Sequence, residues 1–329
     1  MLVLTLLALG ATPASALELR STYIPAEPSA YATTSLLLGL SEAGDRLVAV
    51  GARGHVLLSD DHGVTWRQAR LVPTQTTLTA VRFLDDHEGW AVGHDAVILH
   101  TVDGGETWQM QYVDTELGTP LLTVLFLDTK HGFAMGGLGL TLETTNGGRT
   151  WTERGLGPGV VSELNLNKIV RSGRVLYVAS EFGIVYRSED AGKRFEPVQS
   201  PSAATFLDAL ALPDGTVVFS GTGGEIWRGA AGLRSWARVL SGTDGVVNAL
   251  ALTLDGRLAA VGRGGFVAFG ERDAGRLDPM PLPSPLPTGM AFSAQRAPDY
   301  AAAAAGPRGE LIALGSAGIR RLHDGSLRR

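Results

Sequence analysis

Along this chain apolar residues come in runs of four to six positions, with Gly, Asp or Asn between them, and no stretch holds the spacing of a helix. One run recurs in phase. It is a short apolar segment closing on a small residue: Val48-Ala49-Val50-Gly51, Trp90-Ala91-Val92-Gly93, Phe133-Ala134-Met135-Gly136, Tyr177-Val178-Ala179-Ser180, Val218-Phe219-Ser220-Gly221, Ala259-Ala260-Val261-Gly262 and Ile312-Ala313-Leu314-Gly315. The first six copies lie 41 to 44 residues apart, and the last gap is 53. Within the second repeat the pattern predicts four short strands: A over Thr79–Leu84, B over Gly89–Gly93, C over Val97–Thr101, and D from Trp108. Asp214-Gly215 and Asp255-Gly256 read as A–B hairpin turns.

A polar motif keeps the same period. Ser59-x-Asp61-x-Gly63-x-Thr65-Trp66, Thr101-x-Asp103-x-Gly105-x-Thr107-Trp108 and Thr144-x-Asn146-x-Gly148-x-Thr150-Trp151 share one pattern, with their Trp residues 42 and 43 apart. Worn copies follow at Ser188-x-Asp190-x-Gly192-x-Arg194-Phe195 and at Trp236. Four-stranded units of this length cannot bury both faces alone, so they stack face to face around an axis. The expectation is an all-β, seven-bladed β-propeller with four-stranded antiparallel blades, a single domain over residues 17–329. The long final gap is assigned to a Pro-rich insertion, 279–287, which cannot form a central strand. The last repeat supplies Tyr300–Ala305, Glu310–Leu314 and Gly318–His323 but no fourth strand. Glu18–Ile24 belongs to no blade, so it is expected to pair with Gly318–His323 and close the ring.

Composition narrows the chemistry. A net charge of −5 without a Lys/Arg cluster excludes a nucleic-acid footprint. The absence of cysteine excludes disulfides, thiolate metal sites, a cysteine nucleophile and a lipid anchor on sulfur. The seven histidines (55, 62, 87, 94, 100, 131 and 323) show no metal-ligand spacing, so neither metal nor cofactor is expected. Residues 1–16 read as a signal peptide: an apolar run Leu2–Leu9, then Gly10, Pro13 and an Ala14-Ser15-Ala16 cleavage site, although no Lys or Arg precedes the run. Export follows.

In the boxes, Asp61, Asp103 and Asn146 are expected to accept backbone N–H groups within a C–D turn, while Gly63, Gly105 and Gly148 supply positive φ. Ser59, Thr101 and Thr144 open the turns, and Trp66, Trp108 and Trp151 fill the gap between blades. The three boxes, their phase and the strands Gly89-Trp90-Ala91-Val92-Gly93 and Gly132-Phe133-Ala134-Met135-Gly136 together resemble the photosystem II stability/assembly factor family. The resemblance is strongest over residues 36–151. It implies a seven-bladed Asp-box (BNR-repeat) propeller of the thylakoid lumen or bacterial periplasm. Such a protein is a non-enzymatic, monomeric factor holding a membrane-protein complex during assembly, or an RND-type exporter in a non-photosynthetic source.

Two other classes share the boxes. A sialidase-like glycosidase needs an arginine triad, a Tyr–Glu pair and an early Arg-Ile-Pro, whereas Tyr23-Ile24-Pro25 lacks the Arg. A carbohydrate-binding propeller would need exposed Trp, and most of the Trp are committed to the repeat. Alternating chain direction puts the boxes and A–B turns on one rim, and the B–C turns with the D-to-A links on the other. The second rim is free of the motif and is expected to bind the partner through Arg53, His94, Asp95, Glu181, Phe182 and Arg263.

Overall fold

A computed structural model of the chain describes residues 24–157, 163–281 and 297–323. Its strands form seven antiparallel sheets in chain order, six of four strands and, among the described residues, one of three. This is a seven-bladed β-propeller, and the only helical segments among the described residues are single 3-10 turns. In blade 2, strand A is Leu78–Phe83, B Gly89–Gly93, C Ile98–Thr101 and D Gln109–Tyr112, each boundary within one residue of the sequence expectation. The inner A strands of the other blades are Leu37–Ala43, Leu121–Phe126, Lys168–Ser172, Phe206–Ala211, Val247–Leu252 and Tyr300–Ala305.

The core lies between blades, because each sheet presents apolar side chains on both faces. Trp108 joins Val50 and Leu58 of blade 1 to Val81 and Leu99 of blade 2. Trp151, Phe195 and Trp236 occupy the same place at the next three junctions, and Trp66 packs with Leu57 and Leu314 between blades 7 and 1. Between blades 5 and 6 Leu277 takes that position, and Phe266 packs against the same cluster. Each such side chain contributes about 1.5–3 kcal/mol of burial.

Around the axis the blades are also stitched by hydrogen bonds that alternate in kind. At junctions 1–2, 3–4 and 5–6 a side chain of one A strand accepts an N–H of the next. Phe83 N donates to Ser41 Oγ (3.2 Å), Ile169 N to Thr123 Oγ1 (3.1 Å) and Leu250 N to Asp208 Oδ2 (2.8 Å). At junctions 2–3, 4–5 and 6–7 the side chain donates to a carbonyl of the next A strand. Thr79 Oγ1 reaches Leu121 O (2.5 Å), Asn167 Nδ2 reaches Phe206 O (2.8 Å) and Asn248 Nδ2 reaches Tyr300 O (2.7 Å). Seven blades cannot alternate evenly. Among the described residues the 7–1 junction has no stitch of either kind, since the A strand of blade 7 offers only alanines after Tyr300.

One expectation needs adjustment, at the edge of blade 6. Pro279 does not open a surface loop: with Asp278 it forms strand D of blade 6 and pairs with Ala268, as an outer edge strand allows. Residues 282–287 of the expected insertion lie outside the described residues, as do the expected signal peptide, 1–16, and residues 18–23 of the expected closing strand. Ile24 is in no strand, and the segment after it is bound to blade 1. Ala26 N donates to Val72 O at 2.9 Å, and Gln68 and Gln75 side chains donate to Glu27 O and Pro25 O. Closure is visible one step later. A Cβ on Gly318 of blade 7 would meet Thr33 O at 2.0 Å, as one on Gly54 of blade 1 would meet Thr74 O at 1.9 Å. Residues 33–34 therefore hold, against blade 7, the place of a D-to-A link.

Candidate partner-binding face

On the box rim the polar groups are consumed locally. Asp61 takes the hydroxyl of Thr65 (2.6 Å), the N–H groups of Thr65 and Val64, and the hydroxyl of Ser59. These bonds, the Thr65 hydroxyl first, hold its carboxyl at about 2. Asp103 has the same partners in Thr107 and Thr101; burial pushes its carboxyl up, but the bonds outweigh it and the net shift is downward. Asn146 reproduces the geometry with Thr150 and Thr144. Gly63, Gly105 and Gly148 take φ of 87°, 86° and 80° and donate to Ser59, Thr101 and Thr144. Trp66 and Trp108 Nε1 donate to the box carbonyls of Gly63 and Gly105, whereas Trp151 Nε1 is buried with no partner among the described residues. A carboxylate saturated by donors is a poor proton donor. The exposed group Asp85, Asp86 and His87 also lies on this rim, with Asp85 occupied by backbone N–H groups of His87 and Glu88.

The opposite rim is built differently. Each B–C turn of blades 1–6 is a tight turn whose middle residue is left-handed. In blades 5 and 6 that residue is glycine, Gly223 and Gly264, but in blades 1–4 it is Arg53 (φ 58°), Asp95 (54°), Leu138 (51°) and Phe182 (55°). In blades 1, 4 and 5 the turn is pinned, because the following Gly54, Gly183 or Gly224 packs against a carbonyl of the next link, whereas in blade 2 the following residue is Ala96, itself at φ 50°. A side chain held there costs about 1–2 kcal/mol. Leu138 is nevertheless 66% exposed and Phe182 63%.

Of the residues expected on this rim, Arg53, Asp95 and Phe182 are turn apices on three different blades, and His94 is the exposed neighbour of Asp95. Asp95 is partly used by the Thr76 hydroxyl (3.1 Å), and Glu181 is engaged by Asn165 Nδ2 (3.0 Å). Arg263 stands apart at the mouth of an axial cavity. They share a face but form no cluster. Leu138 escaped the sequence reading although it occupies the same turn position as Arg53 and Asp95; registering the turns against one another exposes it.

The cavity itself was not legible. It occupies about 520 Å³, reaches the rim at Arg263, Asp299 and Ser316, and ends at mid-strand near Leu40, Val81 and Leu250. In six blades strand A carries a β-bulge just inside this rim, and the bulged residue lines the cavity: Leu38, Thr79, Leu122, Leu207, Asn248 and Ala301, with Asn167 the counterpart in blade 4. Bulges re-aim side chains in this way. Thr79, Asn167 and Asn248 spend donors on the neighbouring blade, leaving Leu38, Leu122 and Leu207 as the apolar part of the wall. Deeper in, Lys168 pairs with the buried Asp208 at 3.1 Å.

Comparison with known proteins places this architecture. Residues 33–124 and 109–274 match the family model described as photosynthesis system II assembly factor YCF48. The chain is 32% identical over 209 residues to the photosystem II assembly protein Ycf48 of Thermosynechococcus vestitus, a match covering 63% of this chain but only 60% of that relative. It is 30% identical over 76 residues to the photosystem II assembly lipoprotein Ycf48 of a Synechococcus species, 22% of this chain and 23% of that one. Among solved structures, YCF48 bound to D1 peptide superposes with a TM-score of 0.67 at 19% identity, covering 89% of this chain and 95% of that one. YCF48 from Cyanidioschyzon merolae gives 0.65 at 18% identity, covering 88% and 96%. The WD40 propeller of Doa1 also gives 0.65, so the structural likeness speaks for the fold alone.

Proposed function

Because this chain belongs to the Ycf48 family of photosystem II assembly factors, we propose that it is an exported, non-catalytic scaffold that holds an exported segment of a membrane protein on its B–C rim during assembly. One observation carries the placement. Blades 1–4 keep Arg53, Asp95, Leu138 and Phe182 in a backbone conformation that favours glycine, and two of these are large, apolar and exposed. Strain retained at four equivalent apices, where blades 5 and 6 relax to glycine, points to side chains needed for contact. A solved relative holds a D1 peptide, which supports a peptide-like segment as the thing held. The box rim supports no such role, because its carboxylates and hydroxyls are spent within the turns.

The test uses the strain. Leu138→Gly combined with Phe182→Gly should lose capture of a D1 peptide in fluorescence anisotropy, and of any membrane protein retained from detergent-solubilised membranes. Its stability should hold or rise by about 1 kcal/mol, since the left-handed cost of a side chain is relieved while the unfolded chain gains freedom. Undiminished capture by the double glycine variant overturns the rim assignment, and a wild-type protein that retains no membrane protein overturns the scaffold.

A further inference from the structure

We propose that the axial cavity is a binding site for one large apolar side chain of an extended peptide, inserted from the B–C rim beside the alanine strand of blade 7. The inference rests on the reading of that rim as a peptide-binding face. Three features of the cavity define the occupant. Its volume of about 520 Å³ falls in the range of ligand sites, and its wall on blade 7 is made of alanine methyl groups. Ala301 through Ala305 are all only partly buried, whereas the A strands of blades 1, 2 and 3 present fully buried residues to their neighbours.

The chemistry of the wall is apolar with peptide-like polar groups. Leu38, Leu122 and Leu207 are aimed into the axis by bulges, and across from them Ala301 leaves the room that a fourth leucine would take. The Oδ1 atoms of Asn167 and Asn248 accept no protein donor among the described residues, because each amide is oriented by its N–H to the next blade. Both oxygens can accept N–H groups of an occupant, as a peptide backbone would offer. Charge excludes an ionic occupant: Lys168 is matched by Asp208 (3.1 Å), and at the mouth Arg263 stands with Asp299, whose carboxylate is fixed by Gly264 N (2.8 Å). The cavity therefore selects neither sign.

The equivalence of the bulge positions supplies a substitution with a known precedent in the same ring. Ala301→Leu installs at blade 7 the residue that blades 1, 3 and 5 already carry, filling the cavity without disturbing a hydrogen bond. Its melting temperature should be unchanged or higher, and its affinity for a fluorescein-labelled D1 peptide should fall roughly 10- to 200-fold, the effect of a misfit in an apolar pocket. Leu207→Asn, which imports the residue of blades 4 and 6, is the second variant, and it should weaken binding in the same direction. If wild type and both variants bind the D1 peptide equally, the cavity proposal is overturned while the scaffold reading stands. If wild type does not bind that peptide, a displayed library of random heptapeptides is selected on it and rescreened on Ala301→Leu. Apolar-centred peptides lost on the variant sustain the cavity without the D1 reading, and a selection indifferent to the substitution overturns it.

Discussion

A single residue explains what the boxes are for. Asn146 replaces Asp in the third copy and keeps the bond from Thr150 N (3.0 Å), but its Nδ2 donates to the Thr150 hydroxyl, which donates to the carboxylate in the other boxes. The motif needs an acceptor at that position rather than a charge. The charge still has a consequence at low pH. The carboxyls of Asp61, Asp103 and Asp190 are all held below their ordinary value in the folded state, Asp61 at about 2 and Asp190 chiefly by the N–H of Arg194. A depressed folded value means stability that is fully present above the unfolded value of ~3.9 and is lost as pH falls through the folded one. Thermal melts should therefore show the full contribution of the boxes, independent of pH, down to pH ~4 and its loss between pH ~4 and ~2. Asp103→Asn should flatten that part of the profile while preserving the turn. A variant with an unchanged acid limb would assign the loss to other carboxylates, such as Asp60 and Glu106 in their arginine network.

At the scale of the blade, stability comes from what stands between sheets. Trp108 is fully buried, meets Phe83 edge-on at 6.1 Å and draws on both blades 1 and 2, while its indole N–H is satisfied by Gly105 O at 2.9 Å. Trp108→Ala removes the apolar contact and leaves a cavity that neither sheet can close, at a cost of about 3–5 kcal/mol. Chemical denaturation should register it as a shifted midpoint with little change in slope, and affinity for the partner should be unchanged wherever the protein remains folded. A midpoint equal to wild type would mean that the indole is not the inter-blade contact described. Strand positions were readable at this scale because apolar runs, small residues and turn dipeptides recur with one period. The bulges were not, since a bulge depends on how strand A registers against B, and composition does not record that register.

Among the described residues one junction of the ring lacks a side-chain stitch between its A strands. Six junctions carry a side-chain bond between neighbouring A strands, and the odd number of blades leaves 7–1 to apolar packing around Leu37, Leu57, Trp66 and Leu314. Local opening follows the least-bonded interface. Native-state hydrogen exchange should release the amides of Tyr300–Ala305 and Leu37–Ala43 before those of the A strands in blades 2–6. Uniform protection of all seven inner strands would show that the termini hold the junction as firmly as the stitches hold the others.

The sequence alone determined the number of blades, the four-stranded unit, the phase of the boxes and the family, because each is written as repetition of residue type and repetition needs no coordinates. It also separated the two rims, since chain direction alternates from strand to strand. Tertiary structure decided the rest. That Phe182 is exposed in a strained turn follows from Gly183 packing against Ser202 O of the next link, a contact between segments about twenty residues apart in sequence. That Leu38, Leu122, Leu207 and Ala301 meet at one cavity depends on closing seven blades into a ring, which brings together residues 38 and 301 from opposite ends of the chain. Local pattern specifies a blade, and only the closed ring specifies what lies at its centre.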